Sequence, residues 1–349
     1  MPQSAPPSTE DALDLESLAA DVVSLAMKAG ATDAEAVASE GDEFSVTVRM
    51  GEVETLKESG SRALGLRVFL GLRSGSASTS DLTADGIRQL VEGAVALAKV
   101  TEEDPCAGLP DAGELGSIEG DLHLYFEDVY SLPGPERIEW ARRTEAAALA
   151  ADPRITNSDG GSFDAATGRR TLANSRGFVG GYRTSYAGIS AAPLAQDSDG
   201  KMQRDGWWSS ARRLADIDSP ESVGREAARR ALRRLGARRV STQQAPIVFA
   251  PEVARSLLGS IFQAASGDAI WRGASFLAGK LGQQIAAPAL TIVDDNTMLL
   301  PTGAGGFGTS PFDGEGLPSQ RTIMVENGIL RNYLLNTYTA RKLGMKSTH

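Results

Sequence analysis

A tight β-hairpin is the feature that most constrains how this chain can fold. Asn327-Gly328 is the residue pair typical of a type I′ turn, which requires positive φ at both central positions. Apolar runs flank the pair at residues 323–325 and 329–330. The sequence therefore predicts two antiparallel strands joined by a two-residue turn within residues 322–334.

The first third of the chain has the pattern of an α+β unit. Residues 44–70 alternate between apolar and polar side chains, with one short break, which predicts an antiparallel meander. Apolar residues at helical spacing predict amphipathic helices at residues 12–28 and 82–100, the second behind the caps Ser80 and Asp81. The first ten residues are polar and Pro-rich and are expected to form a disordered tail.

The rest of the chain is predicted to be β-rich with a few helices. Residues 155–208 are punctuated by glycines and are expected to form short, curved strands, and helices are predicted at residues 135–151 and 220–235. The fold class is therefore α+β. We predict an N-terminal α/β domain over residues 12–101, a linker over 102–134 and a β-rich C-terminal domain over 135–349.

Composition excludes several classes of protein. The net charge of −10 argues against general nucleic-acid binding, and the single cysteine, Cys106, rules out an internal disulfide framework. No run of apolar residues approaches the roughly 18 that a membrane span needs, and the N-terminus lacks the pattern of a secretion signal. We expect a cytoplasmic protein without membrane contact.

Basic residues cluster on the predicted helix at residues 220–235. Five arginines, at positions 225, 229, 230, 233 and 234, occupy one broad face, and Arg238 and Arg239 follow. The cluster has two interpretations, a surface for nucleic acid or an acidic partner, and a solvated helix face in an acidic protein. We favour the solvated face.

Candidate metal and phosphate sites are weak in this sequence. Only His123 and His349 are present, so a zinc site with several histidines is not expected. Asp294-Asp295 and Asp313 with Glu315 have the residue types for magnesium or calcium but not the spacing of a calcium loop, and turn positions are the favoured interpretation.

A glycine-rich stretch at residues 303–308 superficially resembles a phosphate loop. No Lys-Ser/Thr follows it, so we expect a flexible loop that faces substrate or a partner. A serine-hydrolase elbow is also missing beside His123.

The segment at residues 247–282 gives the most specific sequence evidence about catalytic chemistry. A buried strand is predicted at residues 247–249 and a helix at residues 252–265, and residues 255–268 contain neither histidine nor glutamate. The sequence SFLAGKLG at residues 275–282 and the sequence FDGEGLPSQRTIMVENGILRNYLLNTYTARKLGMKST at residues 312–348 closely resemble the TldD/PmbA family, also called modulator of DNA gyrase. The resemblance is to the PmbA branch, also called TldE.

This resemblance implies a fold and different roles for two subunits. Family members are paired cytosolic metallopeptidase subunits with an N-terminal α/β domain and a β-rich domain, closing around a chamber where unfolded peptides are cut. TldD-type subunits carry a His-Glu-x-x-x-His zinc motif on the helix that matches residues 252–265. Because that motif is missing, the resemblance implies no catalytic residue and no metal in this chain, with zinc expected in a TldD-type partner.

Substrates and alternatives follow from the same resemblance. The implied substrates are unfolded peptides, including microcin precursors and antitoxin-like proteins in some bacteria. The alternative function is a non-enzymatic, homodimeric peptide-binding or regulatory protein.

Family members also continue beyond the position at which this sequence stops. We therefore expect that C-terminal strands are missing and that the chain is either a short working subunit or a fragment.

Five residues of the hairpin are predicted to contact substrate. If the hairpin edge lines the chamber, it would hold an extended peptide by strand addition, in which backbone hydrogen bonds provide affinity without demanding a sequence. The predicted contacts are Thr322, Met324, Val325, Asn327 and Gly328.

Overall fold

The computed structural model describes residues 14–348, and this part of the chain forms eight helices and ten strands. The helices are Leu15–Lys28 (α1), Ala84–Val100 (α2), Glu127–Ser131 (α3), Gly134–Leu149 (α4), Pro220–Arg233 (α5), Pro251–Ala265 (α6), Gly267–Trp271 (α7) and Thr337–Leu343 (α8). The strands are Asp33–Arg49 (β1), Glu52–Leu70 (β2), Arg73–Thr79 (β3), Ile155–Asn174 (β4), Val179–Gln196 (β5), Met202–Arg204 (β6), Trp207–Ala211 (β7), Ile292–Asp295 (β8), Arg321–Glu326 (β9) and Ile329–Leu330 (β10).

The strands form two antiparallel sheets. The larger sheet has the order β3-β2-β1-β4-β5-β6, and β7 also pairs with β5. The smaller sheet has the order β10-β9-β8. Helices and strands mixed in this way confirm the predicted α+β class. The antiparallel strands predicted within residues 44–70 are the end of β1 and the whole of β2, and β3 adds a strand that was not predicted.

Two of the clusters of apolar side chains on the large sheet share strand β1. Alternate residues of β1, namely Ala34, Ala36 and Ala38, belong to one cluster with residues of α1 and α2. Further along the same strand Phe44, Val46 and Val48 belong to a second cluster with residues of α3, α4, β4 and α5. Burying these faces supplies the main stabilisation, at roughly 25 cal/mol per Å² of apolar surface.

The predicted second helix begins slightly later than expected. Its N-cap is Thr83, whose hydroxyl accepts a hydrogen bond from the Gly86 amide. Asp81, a predicted cap, instead accepts a hydrogen bond from the Thr83 amide. The polar residues before the helix therefore form a short turn that leads into the cap.

The prediction of short strands over residues 155–208 is wrong for β4 and β5. They contain 20 and 18 residues, respectively, and β4 has register shifts near its start. Glycines in this region do not end the strand. At Gly161 a Cβ would lie 2.4 Å from the Ala141 carbonyl oxygen of α4, so the glycine permits close approach of helix and strand.

The third part of the chain is built around the small sheet. Residues of α6, α7, β9, β10 and α8 form one apolar cluster. The predicted type I′ hairpin is confirmed, since Asn327 has φ 49° and Gly328 has φ 80°. A Cβ on Gly328 would also lie 2.3 Å from the Ala286 carbonyl oxygen.

The predicted buried strand at residues 247–249 is wrong. Residues 241–250 form neither helix nor strand, and Val248 is 96% exposed. No described strand of either sheet runs beside this segment. Apolar residues alone indicate a tendency to form a strand, but a strand needs a neighbour for its backbone hydrogen bonds.

Residues 101–126 contain no helix or strand, and they connect the large sheet to the third part of the chain. The Gly116 amide donates to the Gly316 carbonyl, and Arg341 of α8 donates to the carbonyls of Gly108 and Leu109. Asp104 accepts hydrogen bonds from the Tyr338 hydroxyl at 2.7 Å and lies 2.9 Å from the Lys342 ammonium.

Some sequence predictions lie outside the described residues. They are the N-terminal tail, the start of the first helix at residues 12–13, and His349. Within residues 14–348 no helix has the length and apolar character required to cross a membrane.

A buried carboxylate supports the turn between β1 and β2. Met50 and Gly51 form this turn with φ values of 50° and 83°, and Met50 is not a residue that favours positive φ. Glu145 of α4, 1% exposed, accepts hydrogen bonds from both amides at 2.9 Å. Two charge-assisted hydrogen bonds from a distant helix therefore hold the turn.

The Glu145→Gln variant is expected to lose about 1–3 kcal/mol of unfolding free energy, because an amide can accept from only one of the two N–H groups and leaves the other without a partner. Equilibrium urea unfolding measures this loss. The matched control is Glu139→Gln on the same helix, whose carboxylate is half-exposed and pairs with Arg142. It should change the free energy by less than about 0.5 kcal/mol. Equal effects of both substitutions would contradict this role for Glu145.

The contact of Asp104 with α8 is expected to weaken in acid. Hydrogen bonds from Lys342, the Cys106 amide and Tyr338 lower the pKa of Asp104 from 3.8 to about 2. Since the folded pKa lies below the unfolded one, the stabilisation is complete above about pH 4 and is lost as the pH falls towards 2.

The Asp104→Asn variant should therefore be less stable than the parent chain at pH 7, and the difference should shrink between pH 4 and pH 2.5. Thermal unfolding at three pH values in this range tests it. The control is Glu92→Gln, which removes an exposed carboxylate of α2. A difference for Asp104→Asn that stays constant with pH would argue against the ion pair as its source.

Candidate functional site

Helix α6 is the element on which the family resemblance predicts zinc ligands in a TldD-type subunit. Its residues include two serines but no histidine, and its one carboxylate, Glu252, lies in the first turn. Glu252 is already engaged, because its carboxylate lies 2.6 Å from the Arg230 guanidinium of α5. The helix therefore offers no free zinc ligand.

Within residues 14–348 the other potential ligands do not gather around α6 or elsewhere. Among residues 14–348 no group of three or more His, Cys, Asp and Glu side chains could hold a metal ion. His123 is half-exposed in the segment 101–126 and pairs with its neighbour Asp121 at 3.1 Å. The described residues thus do not fit the zinc ion that the family implies.

The suspected magnesium or calcium carboxylates lie at the end of β8 and in the loop before β9. Asp295 accepts hydrogen bonds from the backbone amide and the hydroxyl of Thr297. Asp313 accepts from the amides of Glu315 and Leu317. These contacts are those of turn residues, the interpretation that the sequence favoured.

Side chains of α6 remain uncovered to an unusual degree. Leu257, Leu258 and Phe262 are 45%, 44% and 40% exposed, and Val253 on the same helix is also exposed. Only the last residue of α6, Ala265, is buried. Together with residues 247–249 this makes a large exposed apolar surface, of the kind that marks a site of interaction.

The hairpin residues predicted to contact substrate lie mostly in the core. Met324 and Val325 are buried in the apolar cluster of the small sheet, and the Thr322 hydroxyl donates to the Thr348 carbonyl. Asn327 and Gly328 form the turn, with their amides bonded to Thr291 and Leu290 respectively.

The position of β9 limits how the hairpin could contact a peptide. β9 is the middle strand, paired with β8 on one edge and with β10 at Val325 and Glu326 on the other, so strand addition on the β10 side is limited to the residues of β9 before Val325. A contact between substrate and these five residues by another route stays a prediction.

Hydrogen bonds from a buried arginine hold the backbone of the glycine-rich loop at residues 303–308. Arg212, which is 5% exposed, donates to the carbonyls of Gly305 at 2.8 Å and Gly306 at 2.7 Å, and to the Leu124 carbonyl at 3.2 Å. Burial lowers the pKa of Arg212. A distant buried side chain therefore contacts the backbone at residues 305–306, and the flexibility expected of the loop stays a prediction.

Several arginines of α5 are engaged within the chain. Arg229 pairs with Glu226, and Arg230 pairs with Glu252 and lies over the ring of Trp207. A role of this helix in binding an acidic partner is not needed to explain these arginines.

A cavity that the sequence analysis did not identify lies between the large sheet and the loop after β8. Its volume is about 760 Å³. Glu35 of β1 and Arg67 of β2 lie on its floor, directly opposite each other in the register, and Asp313 and Glu315 lie on the facing wall.

Burial and neighbouring charges in this cavity shift the pKa of Glu35. The Arg67 guanidinium lies 2.7 Å from the Glu35 carboxylate. Burial raises the pKa of Glu35, Arg67 acts in the opposite direction, and the negative charges of Glu315 and Asp313 add to the rise. Perturbed carboxylates in clefts are frequent at functional sites. The alternation of β1 could have indicated a charged residue opposite the core, but not which residues of later segments would face it.

The chain matches three family models in succession. They are described as PmbA/TldA metallopeptidase domain 1, the central domain and the C-terminal domain, and they match residues 34–98, 127–235 and 242–349. Taken together, these matches run through almost the whole of the described chain.

Curated proteins and solved structures agree with the family models. The metalloprotease PmbA of Escherichia coli O157:H7 is 40% identical over 325 residues, which are 93% of this chain and 70% of that protein. A crystal structure of a putative modulator of DNA gyrase from Bacteroides thetaiotaomicron has a TM-score of 0.88 at 25% identity, covering 98% of this chain and 75% of that one. The crystal structure of TldE from Thermococcus kodakarensis has a TM-score of 0.76 at 18% identity, covering 94% and 72%, and shows a shared fold.

Arg212 provides a test of how the glycine-rich loop is held. The Arg212→Met variant should lose about 2–4 kcal/mol of unfolding free energy, because several carbonyl groups lose a charged donor. Hydrogen exchange of the Gly305 and Thr309 amides should accelerate by at least roughly tenfold. The control, Arg225→Met, removes an exposed arginine of α5 and should change neither quantity. Unchanged exchange in a folded Arg212→Met protein would show that the loop is held by other contacts.

Proposed function

This chain belongs to the PmbA/TldD metallopeptidase family, and from that membership we propose that it is the metal-free subunit of a two-subunit cytosolic protease. In this proposal a TldD-type subunit supplies the zinc ion and the catalytic residues. This chain supplies part of the wall of the chamber in which unfolded peptides are cut, and contacts to those peptides. The complex would act on unfolded peptides or peptide precursors.

The observation that carries the proposal is the composition of α6. The helix lies where the family resemblance predicts the zinc motif, and the segment at residues 275–282 after it still resembles the family. Yet α6 has no histidine, and its one glutamate is paired with Arg230. A zinc-dependent peptidase needs at least three protein ligands and a water position, which supports a partner subunit as the holder of the catalytic ion.

The exposed surface of α6 supports a partner of this kind. Leu257, Leu258 and Phe262 project from a helix that is buried only at its end. Apolar surface of this extent is costly in water and is typically covered by a partner. A subunit that brings the zinc close to α6 would cover it at the position at which the two halves of the chamber must meet.

A second function is kept open by the same surface. If α6 pairs with α6 of a second copy, the chain would be a homodimeric peptide-binding or regulatory protein without turnover. This alternative predicts self-association of the purified chain and no gain of peptidase activity on mixing with a TldD-type subunit.

Co-expression of the chain with the TldD-type subunit of the same organism tests the proposal. We expect native mass spectrometry to show a heteromer, zinc analysis to find metal in proportion to the partner, and unfolded casein peptides to be cut only by the pair. Zinc bound by this chain with turnover on its own would contradict the proposal. Homodimers that do not exchange with the partner would favour the alternative.

A pair of variants tests the surface of α6. Leu258→Glu should weaken the heteromer by at least roughly tenfold, since burial of a charge without a partner is unfavourable. Gln263→Glu places the same charge on an exposed polar position of the same helix and should leave assembly nearly unchanged. If both variants assemble like the parent chain, α6 lies outside the interface.

A further inference from the structure

The cavity over the large sheet is formed by alternate residues of three neighbouring strands. Glu35 of β1 lies opposite Arg67 of β2, and Arg67 lies opposite Ser76 of β3, so the three side chains occupy one face of the sheet. Asp313 and Glu315 line the facing wall. The volume of about 760 Å³ lies within the range of sites that bind small molecules or the end of a peptide.

The ion pair on the floor of the cavity is only half satisfied. Arg67 Nη2 contacts Glu35 Oε1 at 2.7 Å. Two further polar atoms of the pair, Glu35 Oε2 and Arg67 Nε, are buried and have no hydrogen-bond partner. Buried polar atoms are nearly always hydrogen-bonded, so this acceptor and this donor are available to a ligand.

Negative charge exceeds positive charge at the inner end of the cavity. Glu35, Asp313 and Glu315 face Arg67, while Arg170 lies at the exposed rim. Asp313 and Glu315 are held in place by backbone amides, those of Leu317 and Thr337 respectively. These two carboxylates therefore stay directed at the region of Glu35, and a cation there would offset their repulsion.

We propose that this cavity binds the free amino terminus of a peptide. The ammonium group donates to Glu35 Oε2 and offsets the charge of Asp313 and Glu315, and the first carbonyl of the peptide accepts from Arg67 Nε. The proposal rests on the proposed function only for the identity of the peptide, which is a substrate or product of the paired protease. The site itself lies entirely within this chain.

Other ligand groups match the cavity less well. A lysine or arginine side chain supplies donors and charge but no acceptor for Arg67 Nε. A carboxamide supplies a donor and an acceptor but no charge. An amino terminus carries all three features within one residue, and capture of terminal amines by fixed polar groups is a known mode of peptide recognition.

Fluorescence anisotropy of the purified chain tests the proposal directly. The probe is a short alanine–serine peptide with an amidated, fluorophore-labelled carboxyl end, prepared with a free amino terminus and in an acetylated form. We expect the free amine to bind at least about tenfold more tightly than the acetylated form. The Glu35→Gln variant should remove this difference, and Glu43→Gln, a change at an exposed position of the same strand, should retain it.

A second variant guards against a folding defect. Ser76→Phe fills the cavity from an exposed position of β3 and leaves the ion pair in place, so it should abolish binding of the free amine even if Glu35→Gln does not fold. Cooperative thermal unfolding verifies the fold of each variant.

Several results would overturn the proposal. They are equal binding of the free and acetylated probes, binding of neither probe, retained discrimination in Ser76→Phe, or an acetylated lysine-containing probe that binds as tightly as the free amine. The last result would assign the cavity to side-chain cations. The assay uses this chain alone, so it gives a result even if no heteromer forms. A heteromer can also form whether or not the cavity binds amines, so failure of this proposal is distinguishable from failure of the proposed function.

Discussion

Pairing of β1 on both edges is the constraint on which the rest of the structure depends. β1 pairs with β2 over its whole length and with β4 from Glu35 to Val48, so one strand joins the first and second family-model regions into a single sheet. Its alternation places Ala34, Ala36 and Ala38 in the core. A slip of one residue would exchange the two faces and bring Glu35 into the core. Register in β1 therefore decides both the stability of the sheet and the chemistry of the cavity.

Polar contacts, rather than a shared sheet, attach the third part of the chain to this scaffold. The small sheet has no strand in common with the large one. Arg212 and Asp104 instead connect segments that are far apart in sequence, through carbonyl groups and through Lys342. Such contacts are directional, so they fix orientation more strictly than apolar packing does. The wall of the cavity, with Asp313 and Glu315, also lies beside an apolar contact, in which Phe312 packs with Leu172 of β4 and with Phe178.

Sequence reasoning succeeded where the signal was local. Asn327-Gly328 determined a turn from two residues, and the periodicity of α1 and α2 determined helices. It failed where the outcome depended on a distant neighbour. Val248 reads as a strand residue but has no strand beside it, and no local signal indicated the contact of the Gly305 backbone with Arg212, 93 residues away. The pairing of Glu35 with Arg67 depends on a register that no local pattern specifies, so the cavity could not be predicted.

The state of Glu35 and Arg67 argues against a purely structural purpose for the cavity. A buried ion pair often stabilises a fold no more than apolar residues of the same size, and it does so least when some of its atoms lack partners. Here Oε2 and Nε lack partners, and two further carboxylates raise the pKa of Glu35. A sheet face that served only stability would gain from Val or Leu at these positions. The arrangement becomes favourable when a ligand supplies one cationic donor and one acceptor, as the proposed amino terminus does.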